Sequence, residues 1–194
     1  MSVTIHSFIE YVPPDRAMPP NWDRPVGAGE TVNITYDSHS FSAGRLHIGG
    51  TGGLFSAIAG VRSGAPPLYK PRGWPASLST SIADLAFQPV VGAPPNGIVP
   101  HVLPKTAEVY VRSGHSVYGM HQNGRTSLKF VSIFGAKLPG WLHLNEIYAA
   151  IKHQGISTES LSINFKAALS AMKTICDNAG EDRVRLTFWF EGSI

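Results

Sequence analysis

The chain has a single cysteine, Cys176, among its 194 residues. That excludes an internal disulfide and any zinc site built from several thiolates. No apolar run reaches the roughly 18 residues that a membrane-spanning helix needs. The opening residues, MSVTIHSFIEYVPP, carry neither the basic flank nor the long apolar stretch of a secretory signal. A cytoplasmic protein with no membrane partner is the expectation. Recognisable cofactor motifs are also missing. Gly49-Gly50-Thr51-Gly52-Gly53 has no Lys-Ser/Thr behind it, and Phe55 breaks the dinucleotide-binding glycine spacing. No cofactor and no metal are therefore expected.

Acidic residues are scarce in the middle of the chain. Residues 38–145 hold nine Lys or Arg against only Asp84 and Glu108, a net +7, whereas residues 1–37 are net −3 and residues 146–194 net −1. A basic section of this kind is the usual footprint of an anionic partner, here an acidic protein or nucleic acid. Glycine and proline are plentiful, with 20 and 15 residues, and much of the proline falls in a loop-rich section at about 63–104. The expected organisation is a single domain over 1–194 that includes this section. Oligomeric state is not legible in the sequence.

The strongest local signal runs from Ala107 to Gly135. Apolar-alternating runs are separated by Ser113-Gly114 and Asn123-Gly124, and Asn-Gly supplies the two positive φ values of a type I′ hairpin turn. A three-stranded antiparallel meander over about 107–134 follows, with Gln122 opposite Arg125 and Val117 opposite Phe130. Earlier, Val3–Tyr11 and Glu30–Asp37 read as strands, and Arg45–Ile48 as a short partner for the second. Leu54–Ala59 and Thr80–Phe87 read as short helical pieces. After the meander, Leu144, Ile147, Tyr148 and Ile151 mark an amphipathic helix over about 142–153. Leu161, Phe165, Leu169, Met172 and Cys176 mark a second, with Ser157 or Thr158 as its cap and Gly180 beyond its end. Arg183–Phe190 alternates as a final strand, with Val184, Leu186, Phe188 and Phe190 inward, expected in the same sheet as the meander. The fold class is α+β, a mainly antiparallel sheet with two C-terminal helices on one face.

Several residue groups carry candidate chemistry. Alternation puts Glu108, Tyr110, Arg112, His115 and His121 on one face of the meander, a set suited to acid–base work on phosphoesters. His115 and His121 are six residues apart on one strand, roughly 20 Å at 3.3 Å per residue, and cannot share a metal ion. Tyr69-Lys70-Pro-Arg72-Gly-Trp74 interleaves basic and aromatic residues, a pattern that stacks bases while Lys and Arg meet phosphates, or that anchors a long loop through Trp74. Arg112, Arg125 and Lys129 extend the basic set.

Ser79-Thr80-Ser81, followed by Glu108, resembles the Ser-Thr-Ser strand and catalytic glutamate of ADP-ribosyltransferases. The resemblance implies hydroxyls that support a nicotinamide pocket, and a Glu108 that stabilises the ribosyl cation. Thr106 replaces the Glu or Gln of that pattern, and no Arg lies on the first strand. Two functions stay open. One is a non-enzymatic binding protein of the accessory, inhibitor or immunity kind. The other is a small toxin-like enzyme, ADP-ribosyltransferase-like or ribonuclease-like, using Glu108 with Ser79–Ser81 or with His121.

Overall fold

A computed structural model describes residues 3–19, 22–23, 32–35, 39–42, 52–61, 66–75, 77–79, 82, 98–100, 115–122, 125–132 and 137–192. The protein is α+β, and the chain divides into two compact units, one of residues 1–17, 39–73 and 135–194, the other of residues 18–38 and 74–134. Among the described residues, no helix is long and apolar enough to cross a membrane.

The first unit is built on a four-stranded antiparallel sheet. Strand β1 (Val3–Tyr11) pairs along its whole length with the last strand, β8 (Val184–Gly192), from Val3 opposite Gly192 to Tyr11 opposite Val184. Two shorter strands flank this pair, giving the order β3-β1-β8-β7. Strand β3 is His39–Ser42 and β7 is Lys137–Leu142. Among the described residues, three α-helices complete the unit: α1 (Gly52–Ala59), α2 (Leu144–His153) and α3 (Ile163–Ala179).

One face of the sheet meets these helices in a single apolar core. Val184, Leu186, Phe188 and Phe190 of β8 and Ile9 of β1 pack with Leu54, Phe55 and Ile58 of α1, Ile147 and Ile151 of α2, and Phe165, Leu169 and Met172 of α3. These are the inward positions expected from the alternation of β8 and the 3.6-residue stripes of the two C-terminal helices. The residues of α1 from Leu54 to Ala59 are all buried, so the segment after the glycine run is a core helix. The cap of α3 is Ser162, whose Oγ accepts from Phe165 N at 3.2 Å, while Ser157 caps the short 3-10 turn Thr158–Ser160 instead. Gly180, at φ 105, ends α3 where a side chain would be strained.

The second unit holds the hairpin. Strands β5 (His115–Gln122) and β6 (Arg125–Ser132) pair antiparallel, with Gln122 opposite Arg125 and Val117 opposite Phe130. The register is the one the Asn-Gly turn dictates. Beyond β6 lies β4 (Ile98–Pro100), also antiparallel, so β5, β6 and β4 form a three-stranded antiparallel set. On the other edge of β5, β2 (Val32–Thr35) runs parallel along Tyr118–His121. The expected opening run of the meander, 107–112, lies outside the described residues, as does the expected strand Arg45–Ile48.

Three expectations change. The final strand belongs to the sheet of β1 rather than to that of the hairpin, because nine paired positions and a matched charge pair select β1 as its partner. The segment His39–Ser42, which lies between the expected strands Glu30–Asp37 and Arg45–Ile48, is itself a strand and pairs with Phe8–Tyr11. Strand β7 was not foreseen, since Pro139 and Gly140 lie inside it. The pairing of β7 with β8 slips between Lys137 and Gly140, and Leu138 there takes a left-handed φ of 47.

Gly140 is required by packing. A Cβ at this position would lie 2.8 Å from Cζ of Phe188, whose ring is buried in the core. We expect Gly140→Ala to destabilise the protein by about 1–3 kcal/mol. Urea unfolding measures this, and an unchanged midpoint would show that Phe188 has room to move.

Candidate functional site

Residues 66–73 form a strap fastened to the first unit at three points. Its start is held by Gln154 Nε2, which donates to Pro66 O at 3.1 Å. Its end is held by Gly73 N–H, which donates to Pro139 O of β7 at 3.0 Å. The central fastening is Arg72. Both terminal nitrogens of its guanidinium donate to the Glu146 carboxylate on α2, Nη1 to Oε2 at 3.1 Å and Nη2 to Oε1. The guanidinium also lies over the Trp141 ring at 4.5 Å and near the Tyr69 ring at 5.5 Å.

Glu146 is the third residue of α2, and its Oε2 also accepts from the backbone N–H of His143 at 2.9 Å, which caps the helix. His143 is fixed in turn by Nδ1–H donating to Val184 O at 2.7 Å. Burial by itself would raise the Glu146 carboxyl. The hydrogen bonds from Arg72 and from His143 N–H, together with the Arg72 charge, outweigh burial and hold the carboxyl below its ordinary value.

Beside the strap, β1 and β8 bring a second charge pair together on the sheet face opposite the core. Glu10 Oε2 accepts from Arg185 Nε at 2.9 Å and from Thr187 Oγ1 at 2.6 Å, and both charged side chains are fully buried. Arg185 also lies over Trp141, at 5.8 Å. On the same face, Trp189 stacks on His6 at 5.0 Å and on Phe8 at 5.7 Å. The Glu10–Arg185 pair was missed in the sequence. The signal was there, since each residue sits on the polar side of an alternating strand, but it shows only once β1 is paired with β8.

The remaining candidates fall elsewhere. In the strap, Lys70 is exposed, while Tyr69 is half-buried and packs against the core. Trp74 belongs to the second unit and is buried, consistent with an anchoring role. Also in the second unit, Ser79 is 2% exposed and its carbonyl accepts from Ile82 N–H at 3.1 Å. Thr80, Ser81, Glu108, Tyr110 and Arg112 lie outside the described residues. His115 and His121 stand at opposite ends of β5, paired with Ser132 and Thr126. Arg125 closes the hairpin opposite Gln122, and Lys129 lies between Tyr118 and Ile98. Among the described residues, no three His, Cys, Asp or Glu gather as metal ligands. The Cys176 thiol is raised by burial and by Glu181 and Asp177, which suppresses the thiolate a nucleophile needs.

Folding also redistributes the charge seen along the sequence. The acidic residues Asp23, Glu30 and Asp37 join the second unit, which then carries five basic and five acidic residues. Residues 39–73, in the first unit, carry Arg45, Arg62, Lys70 and Arg72 and no acidic residue. Compared with known proteins, the chain matches no family model, no curated protein and no solved structure.

Two outcomes follow from these pairs. Glu10→Ala removes the carboxylate that the buried Arg185 Nε meets at 2.9 Å, so we expect it to destabilise by about 3–5 kcal/mol, read from thermal or urea unfolding. For Glu146, a depressed folded pKa stabilises the protein above the unfolded value of about 4.3, and the contribution disappears as pH falls through the folded value. Glu146→Gln should therefore lower stability near neutral pH by about 1 kcal/mol and flatten the loss of stability on acidification. An unaltered acid limb in urea titrations would remove Glu146 as its source.

Proposed function

We propose that this chain is a small non-enzymatic binding protein, of the accessory, inhibitor or immunity kind, that uses its basic central section against an acidic protein or nucleic acid. The observation that carries this reading is the stretch 39–73, which contributes four basic residues and no acidic one. Its strap displays Lys70 to solvent and holds the Arg72 guanidinium over the Trp141 ring and near the Tyr69 ring. Arg112, Arg125 and Lys129, in the second unit, are the other basic candidates for such a partner.

The binder is preferred to the enzyme on two counts. Ser79 is buried, whereas a hydroxyl supporting a nicotinamide has to face an open cleft. The carboxylates at Glu10 and Glu146 are each committed to an arginine partner, which makes them structural groups rather than free acids or bases.

The deciding experiment measures binding of oligouridylate RNA, single-stranded DNA and polyglutamate across a salt series. Contacts to three to five phosphates give a slope of log affinity against log salt of about −2 to −3.5 for a single strand. Failure to bind all three polyanions at low salt would overturn the proposal. Glu108→Gln should bind as the wild type does, and its loss of function with an intact fold would restore the enzyme.

A further inference from the structure

We infer that Glu146 is an internal stand-in for a nucleic-acid phosphate, and that a single-stranded nucleic acid binds the strap by replacing Glu146 on Arg72. This rests on the binding function just proposed and names its ligand and its restraint.

The geometry of the latch carries the argument. A guanidinium takes a carboxylate and a phosphate through the same parallel pair of N–H donors, so the Glu146 carboxylate fills the fork a phosphate would use. The fork is already oriented. Trp141 and Tyr69 pack against the guanidinium, so an incoming anion orders little of the side chain. It is also reachable, since the Arg72 side chain is 27% exposed and that of Glu146 18%. Lys70, two residues earlier and exposed, offers a second cation for the next phosphate along a strand. Displacement leaves Glu146 with a partner, because Oε2 still accepts from His143 N–H. The latch can therefore open without uncapping α2.

The same geometry separates phosphate from carboxylate ligands. A carboxylate on an acidic protein would only repeat the contact Glu146 already makes, in competition with a group tethered beside the fork at high effective concentration. A phosphodiester strand engages Lys70 at the same time and brings bases to the half-buried Tyr69 ring. The contact is an autoinhibitory one, and it sets a threshold that single-stranded nucleic acid can pass.

The test compares oligouridylate binding by wild type, Glu146→Gln, Arg72→Ala and Lys70→Glu at low salt. Glu146→Gln keeps an oxygen acceptor for His143 N–H but empties the charged fork, and should bind about three- to tenfold more tightly. Arg72→Ala should bind about tenfold more weakly and reduce the salt slope by about 1, with Lys70→Glu weaker as well. Thermal melts establish that each variant is folded. Glu146→Asp, which draws the carboxylate back by one methylene, serves in place of Gln if that variant does not fold, and should also bind more tightly. Unchanged or weaker binding on altering Glu146, with wild type binding normally, overturns the stand-in and leaves the binding function standing. Absence of nucleic-acid binding in wild type and all variants overturns the stand-in, and absence of polyglutamate binding as well overturns the binding function. Preference for polyglutamate over oligouridylate overturns the ligand assigned here.

Discussion

The first and last strands of the described chain are partners, and most of the first unit follows from their pairing. Nine residues of β1 face nine of β8, and the register is fixed by more than backbone hydrogen bonds. Glu10 lies directly opposite Arg185, so slipping the pairing by one residue would bury both charges apart and turn every inward side chain outward. With that register set, Val184, Leu186, Phe188 and Phe190 present one continuous apolar face, and α1, α2 and α3 have a surface to cover. A buried ion pair of this kind contributes little net stability compared with an apolar pair, but it makes the alternatives costly.

The strap depends on the same arrangement at one remove. Trp141 sits on β7 opposite Thr187 of β8, within reach of Arg185 on β8 and of Arg72 on the strap. His143, immediately after β7, is held by Val184 O and in turn donates to Glu146. The position of the Arg72 fork is thus inherited from β8 through β7 and the start of α2. The strap is a loop, but its key side chain is placed by elements that cannot move independently.

Local structure was largely legible in the sequence, and partnership was not. The Asn123-Gly124 signal predicts a two-residue loop, and the register it implies, Gln122 opposite Arg125, is the one observed. The stripes Leu144–Ile147–Ile151 and Phe165–Leu169–Met172 identify α2 and α3 and the faces they bury. Periodicity says which side of a strand is apolar, but not which sheet the strand joins, and the placement of β8 was misread on that account. Strand β7 was hidden because Pro139 and Gly140 break the pattern, although Gly140 is there to admit the Phe188 ring. In the strap, sequence spacing singled out Tyr69, Lys70 and Arg72 as candidates but gave no sign of Glu146, the partner of Arg72, 74 residues further on. The net +7 of residues 38–145 likewise holds only along the chain, because folding sends part of that section to a unit whose acidic residues balance it.

The closure of β1 on β8 also has a consequence in time. The carboxylate of Glu10 and its guanidinium partner are separated by 175 positions. A ribosome adding roughly 5–20 residues per second needs on the order of ten to thirty-five seconds to deliver Arg185 after Glu10. Throughout that interval β1 has no central partner, and the apolar faces of α1, α2 and α3 have no completed sheet to cover. The sheet of the first unit therefore cannot close on β1 until β8 has been made.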